Sequence, residues 1–248
     1  MVSKVHFYSL MAEQAAKQIT GSFQQWTSFL STASRLYKYP YPDQLMIHIQ
    51  RPDATACAEY ELWSDTMGRY VKRGAKGIAL LDCRGEQPRL RYVFDVSDTG
   101  ARENSRPVIL WEMREEYRRP VQDALERAFG ASGEKSLESQ LEEAASRLAE
   151  DYWQIYGSQF LHILADSYLE EYDEDNLSVV FQRAVAASAA YQACARCTEE
   201  ADEYFVQTDF LDVLDFNTRQ TANALGTAVK GVSRQIFREI ETAIRSYE

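Results

Sequence analysis

Histidine is nearly missing from this chain, with three in 248 residues, at positions 6, 48 and 162. So few leave little material for histidine-based proton transfer or a histidine-rich metal centre. His48 has no second histidine or carboxylate at ligand spacing, and it is expected to be packed or hydrogen-bonded. Cysteine is scarce as well, and four residues (57, 83, 194 and 197) make no disulfide framework at this length. Cys194-Ala-Arg-Cys197 has C-x-x-C spacing, but it falls in an alanine-rich helical stretch with no second pair. A pair of packing cysteines on a helix is therefore expected there. No apolar run approaches the roughly 18 residues of a membrane span, so no membrane partner is expected. The N-terminal Met1-Val-Ser-Lys4 and the residues after it lack the apolar core of a signal peptide, which predicts cytoplasmic residence.

Catalytic signatures are missing too. His162 is followed by Ile-Leu-Ala-Asp rather than completing H-E-x-x-H, and there is no phosphate-binding P-loop, G-x-G-x-x-G or G-x-S-x-G. The run Glu170-Glu-Tyr-Asp-Glu-Asp175 lacks the interspersed glycine of a calcium loop and is expected as a solvated connection. The expectation is a non-enzymatic protein without a cofactor. A metal-dependent nuclease built from scattered carboxylates remains the enzymatic alternative, because such sites carry no short spacing signature.

What is present is an uneven charge. Residues 1–120 carry 17 Lys/Arg against 14 Asp/Glu, whereas residues 121–248 carry 10 against 24, for a net charge of −11. Basic surface is the electrostatic footprint of a nucleic-acid binder, so only the first half qualifies.

Residues 7–19 have the pattern of a short helix. Ser22 is a suitable N-cap for a second helix with Phe23, Trp26, Phe29, Leu30, Ala33 and Leu36 on one face. The Tyr37–Pro42 cluster stops it, since each proline disfavours helix in the residue before it. Residues 43–50 follow as two apolar turns. Asp53–Thr55 can then cap a helix carrying Tyr60, Trp63, Met67 and Val71. Next come a glycine turn, a strand at 78–82, a hairpin loop at 84–88 and a partner strand at 89–96. Residues 107–111 suit a third strand. From 112 the pattern is helical: 112–129, 136–156, 158–170, 175–197 and 217–247, with weaker pieces at 201–214. Gly130–Lys135 is the best linker. The predicted class is α+β: a small antiparallel sheet of about three strands flanked by helices, then a mainly helical acidic second half. The predicted division is 1–131 and 132–248, with the two parts able to pack as one body.

The stretch Met67-Gly-Arg-Tyr-Val-Lys-Arg-Gly-Ala-Lys-Gly-Ile78 concentrates three cations (Lys72, Arg73, Lys76) around Gly74. Two roles fit it. Gly74 can be the C-terminal stop of a helix with cations in its last turn. Alternatively, helix end, turn and strand can converge on an anion. Arg69 precedes the turn, and Arg89 and Arg91 lie on the later strand. Tyr39 and Tyr41, among prolines, are expected to be exposed, whereas Trp63 and Tyr92 are expected in the core. Cations beside aromatic platforms are how single-stranded nucleic acid is bound with little sequence preference.

This stretch, with Arg91-Tyr-Val-Phe-Asp-Val-Ser-Asp-Thr99, resembles the N-terminal domain of the ArdC anti-restriction family. Its hallmarks are a (V/I)-(R/K)-(K/R)-G-x-K-G turn followed by a strand with (F/Y)-x-V-F-(D/N)-V. The ArdC-type similarity covers residues 20–100, whereas the N-terminal regions of large helicase/methylase-like proteins of conjugative elements resemble the chain more closely and are expected to match it throughout. The resemblance implies single-stranded DNA binding in an anti-defence role, with Lys72, Arg73, Lys76 and the Tyr92–Asp95 strand carrying it over. The H-E-x-x-H of the ArdC metallopeptidase-like domain is not in this sequence, so that activity does not carry over. The expected partner is single-stranded nucleic acid, DNA favoured, bound through Arg69, Lys72, Arg73, Lys76, Arg89, Arg91, Tyr39 and Tyr41. A second expectation is direct inhibition of a host CRISPR or restriction nuclease, with the acidic half presenting DNA-like charge to the enzyme.

Overall fold

Ser3 and Ser22 accept the backbone N–H groups of His6 (3.2 Å) and Gln25 (3.3 Å) and so start the first two helices. These are α1 (Lys4–Ile19) and α2 (Phe23–Arg35) in the computed structural model, which describes residues 3–85, 87–131, 136–198 and 201–247. On α2 the helical spacing holds, and Trp26, Phe29, Leu30 and Ala33 are all buried. The next helix, α3 (Tyr41–Gln50), begins two residues before the expected start. Proline near its N-terminus is tolerated because the first N–H groups have no partner within the helix.

The next segment departs from expectation. Residues 53–71 form no continuous helix. They give β1 (Cys57–Glu59), a five-residue π-type turn (Leu62–Thr66) and β2 (Arg69–Val71). The reason is a contact from far along the chain. The Asp95 carboxylate accepts the N–H groups of Thr55 (2.7 Å) and Ala56 (2.9 Å), which a helix start there would have used for its own cap. Cys57, Ala58 and Glu59 then pair with Asp95, Phe94 and Val93.

β3 (Ile78–Asp82) and β4 (Arg89–Asp95) form the expected hairpin, in register from Ile78↔Val93 to Asp82↔Arg89. The antiparallel sheet has the order β1–β4–β3, and β5 (Thr99–Ala101) pairs with β2 in a separate ribbon. Residues 107–111, expected as a third strand, are irregular; β1 takes that place in the sheet. A strand edge invites further pairing, and here a side chain closes it: Gln50 both donates to the Ala79 carbonyl (2.8 Å) and accepts its N–H (2.9 Å).

The rest is helical: α4 (Glu115–Phe129), α5 (Leu137–Phe160), α6 (Glu174–Cys197), a single turn α7 (Ala201–Tyr204) and α8 (Arg219–Tyr247). The helix expected over 158–170 is broken after Phe160 into two 3₁₀ turns, with Asp166 at φ 63° between them. The expected linker lies mostly at 132–135, outside the described residues.

One hydrophobic core draws on both sides of residue 131. Trp26 of α2 donates its indole N–H to Ser188 of α6 (2.8 Å), and Tyr37 packs on Phe237 of α8 at 4.7 Å. A smaller core (Leu36, Met46, Ile47, Ile78, Leu80, Val93) glues one face of the sheet to α3. Each such side chain contributes about 1.5–3 kcal/mol by leaving water. The other sheet face is left turned outward, and that sets up the candidate site.

Candidate nucleic-acid interface

Alternation along β4 sends Arg91, Val93 and Asp95 to the inner face and Leu90, Tyr92 and Phe94 to the outer one. The inner cation is neutralised: Arg91 pairs with the buried Asp43 and with Glu59 (3.2 Å). Burial pushes the Asp43 carboxyl up, and Arg91 offsets that only in part. Arg91 is thus a structural pair beneath the sheet, which corrects its expected place at the interface.

Tyr41 is corrected as well. It is buried against Phe29 at 5.8 Å, in edge contact, and its hydroxyl has no hydrogen-bond partner among the described residues. Burial raises its pKa. Tyr39 is half-buried and donates to the Cys57 carbonyl at 2.7 Å, so it braces β1 rather than projecting from a loop. Burial likewise raises its pKa. Neighbouring prolines gave both tyrosines the look of loop residues, but Tyr41 opens a helix that faces the core.

The basic turn is built differently from either sequence expectation. No helix ends at Gly74; the turn joins β2 to β3, and Gly74 sits at φ +87° with open space where a Cβ would be. The turn therefore has no helix dipole to offer. What it has is exposed charge. Lys72, Arg73 and Lys76 are all exposed, and among the described residues none forms an ion pair. Lys72 reaches the Ser97 carbonyl (2.8 Å), and its own N–H binds the Asp98 carbonyl (2.8 Å), pinning the turn to the residues after β4. Arg69 is half-buried, its Nε donating to Thr99 Oγ1 (2.8 Å) across the β2–β5 ribbon. Arg89 is exposed at the far end of β4, without an ion pair among the described residues.

The basic turn meets the outer sheet face at Gly77. A Cβ there would come within 3.2 Å of both the Tyr92 and the Phe94 side chains. These rings therefore lie against the backbone directly after Lys76, and a Cβ there would oblige them to give by a few tenths of an ångström. Tyr92 is 41% exposed and Phe94 partly so, against the expectation that Tyr92 lies in the core. Trp63 is buried as expected, its indole N–H donating to the Phe94 carbonyl at 2.9 Å. The alternation of β4 is legible in the sequence, but which of its two faces meets the core is not. An apolar-looking face of β4 was available for the surface because Asp95 anchors the opposite one.

Asp95 is buried yet accepts hydrogen bonds from Thr55 N, Ala56 N, Ser97 N (3.0 Å) and Ser97 Oγ (2.7 Å), with a long fifth from the Cys57 thiol (3.9 Å). Burial alone would raise its pKa, but these bonds outweigh it and hold the carboxyl below its ordinary value. It positions β1 and β4; it does not face a ligand.

Elsewhere, among the described residues no three His, Cys, Asp or Glu side chains converge to hold a metal ion. Cys194 and Cys197 are both buried, and burial pushes the Cys197 thiol up to about 12, as expected of packing cysteines rather than reactive ones. His48 is hydrogen-bonded to Thr32 Oγ1 through Nδ1 (2.8 Å), and burial lowers it to about 4. No described helix is long and apolar enough to cross a membrane. No family model matches this chain, and no curated protein or solved structure matches it.

Proposed function

We propose that this protein binds single-stranded nucleic acid, DNA in preference, as a non-enzymatic accessory factor of the anti-defence kind found on mobile elements. One observation carries the binding: exposed Lys76, free of ion pairs among the described residues, adjoins exposed Tyr92 and half-buried Phe94 at Gly77, with exposed, unpaired Arg73 on the same turn. A backbone phosphate on the turn leaves its base next to an aromatic ring, the pairing that sequence-tolerant single-strand binders use. Arg89 has the strand parity of Arg91 and pairs in register with Asp82 at the far end of the hairpin, so it lies outside this grouping. The anti-defence role and the preference for DNA come from the resemblance of the turn and strand to the ArdC N-terminal domain.

Replacing Tyr92 by alanine tests the stacking component. One stacked base is worth about 1–3 kcal/mol, so the affinity for a labelled oligonucleotide should fall by roughly 5- to 150-fold. Fluorescence anisotropy measures it. Affinity unchanged in Tyr92→Ala, in a variant that melts like the parent, would remove the sheet face from the site.

A further inference from the structure

Behind the sheet, where the loop after α2 meets β1, α6 and α8, lies a cavity of about 190 Å³. Its lining includes Arg35, Lys38, Arg196 and Arg245 against, among the described residues, a single carboxylate, Glu241, in a chain whose net charge is −11. Glu241 is already saturated, since it accepts from the Tyr37 hydroxyl and pairs with Lys38 (2.9 Å) and with Arg245. That leaves Arg35 and Arg196, neither of which forms an ion pair among the described residues.

Both guanidiniums are held by neutral groups. Arg35 donates to the Ala54 carbonyl (2.9 Å), the Pro52 carbonyl and Ser31 Oγ (3.3 Å). Arg196 donates to the Trp111 carbonyl (2.9 Å) and lies over the Trp111 ring, 4.6 Å from its centre. Its Nε–H is buried with no acceptor among the described residues. Two like charges on one cavity wall, close enough to disfavour one another and held only by neutral groups, form a receptor for an anion. Burial first, and then the charge of Arg196, pull the Arg35 guanidinium below its ordinary value, a cost that a bound anion would relieve.

Size and rim narrow the ligand. At a share of roughly 30 Å³ per water the cavity holds about six waters, enough for a phosphoryl group and the atoms next to it. It falls short of the several hundred Å³ of a drug-sized pocket. The lining also includes Ile109, which is 79% exposed, and Leu110, so the remainder of a ligand would pass over an apolar lip. We propose that this cavity binds a phosphomonoester, through the Arg35 and Arg196 guanidiniums. The site is separate from the sheet face and does not depend on that proposal.

Isothermal titration calorimetry on the full chain tests it, with inorganic phosphate, glycerol 3-phosphate and an oligonucleotide carrying either a 5′-phosphate or a 5′-hydroxyl. Saturable binding of phosphate and glycerol 3-phosphate is expected, about tenfold or more weaker in Arg196→Gln, as the loss of a charge-assisted contact implies. Arg245→Gln, at an exposed position that leaves the fold intact, should also weaken binding by freeing the charge of Glu241. A gain from the 5′-phosphate on the oligonucleotide identifies a strand end as the source; binding of glycerol 3-phosphate without that gain identifies a free phosphomonoester. The 5′-hydroxyl oligonucleotide reports on the sheet face alone, which keeps the two proposals apart. No saturable binding of any phosphate probe, or equal affinity in parent, Arg196→Gln and Arg245→Gln, would overturn the assignment.

Discussion

Replacing Asp95 by asparagine should destabilise the protein by about 2–4 kcal/mol, at two orphaned donors worth roughly 1–3 kcal/mol each. The figure follows from counting acceptors. One carboxylate oxygen takes the N–H groups of Thr55 and Ala56; the other takes Ser97 N and Ser97 Oγ. Asparagine keeps one oxygen and turns an NH₂ toward donors on the other side, so one of the two pairs loses its acceptor. Thr55 and Ala56 are only half-buried, which keeps the total toward the lower end. The acid dependence follows with its sign. The folded-state pKa lies below the ordinary value, so the stabilisation is present above that value and is lost as pH falls through the folded one. Urea unfolding of parent and variant across pH should show a gap that is full at neutral pH. The gap should close from about pH 4 downward as Asp95 is protonated in the parent. A gap under about 0.5 kcal/mol at neutral pH, or one that widens in acid, would refute the claim that this carboxylate locks β1 onto β4.

Two further outcomes test the packing. Tyr41→Phe removes a buried hydroxyl that lacks a partner among the described residues and should raise stability by about 1 kcal/mol; thermal melts check it, and oligonucleotide binding should not change. Gly226→Ala usually stabilises a helix, but here the new Cβ would sit 2.0 Å from the Tyr41 ring, so a net loss of about 1–2 kcal/mol is expected. Unfolding measurements should show that loss relieved when Tyr41 is shortened to leucine as well.

The elements legible in the sequence were those whose partners are local. Ser22 and the apolar stripe of α2 specify that helix by themselves, and the hairpin from Ile78 to Asp95 follows from two apolar runs around a short loop. Illegible were the elements decided at a distance. Tyr60, Trp63, Met67 and Val71 keep helical spacing, yet Asp95, some 40 residues on, captures the N–H groups of Thr55 and Ala56 and makes the segment pair as strand. The same cause hid part of the candidate site. The basic turn was visible as Lys72, Arg73 and Lys76, but its aromatic neighbours were misassigned. Tyr39 and Tyr41 looked exposed because of their prolines, and Tyr92 looked buried because its neighbours are apolar. Which face of a strand meets the core depends on what packs there, and α3 with Asp43 and Met46 selects the face bearing Arg91 and Val93.

The most direct test of the proposed function is the salt dependence of oligonucleotide binding in the parent and in Arg73→Glu/Lys76→Glu. Both side chains are exposed and the turn is pinned by Lys72, which is left in place, so the double variant should fold and melt like the parent. Each phosphate contact on a single strand contributes about −0.7 to the slope of log affinity against log salt. Losing two contacts should therefore flatten the slope by roughly 1.4 and sharply weaken binding at low salt. A double variant with the parent's affinity and the parent's slope would contradict the assignment of the turn as the phosphate contact.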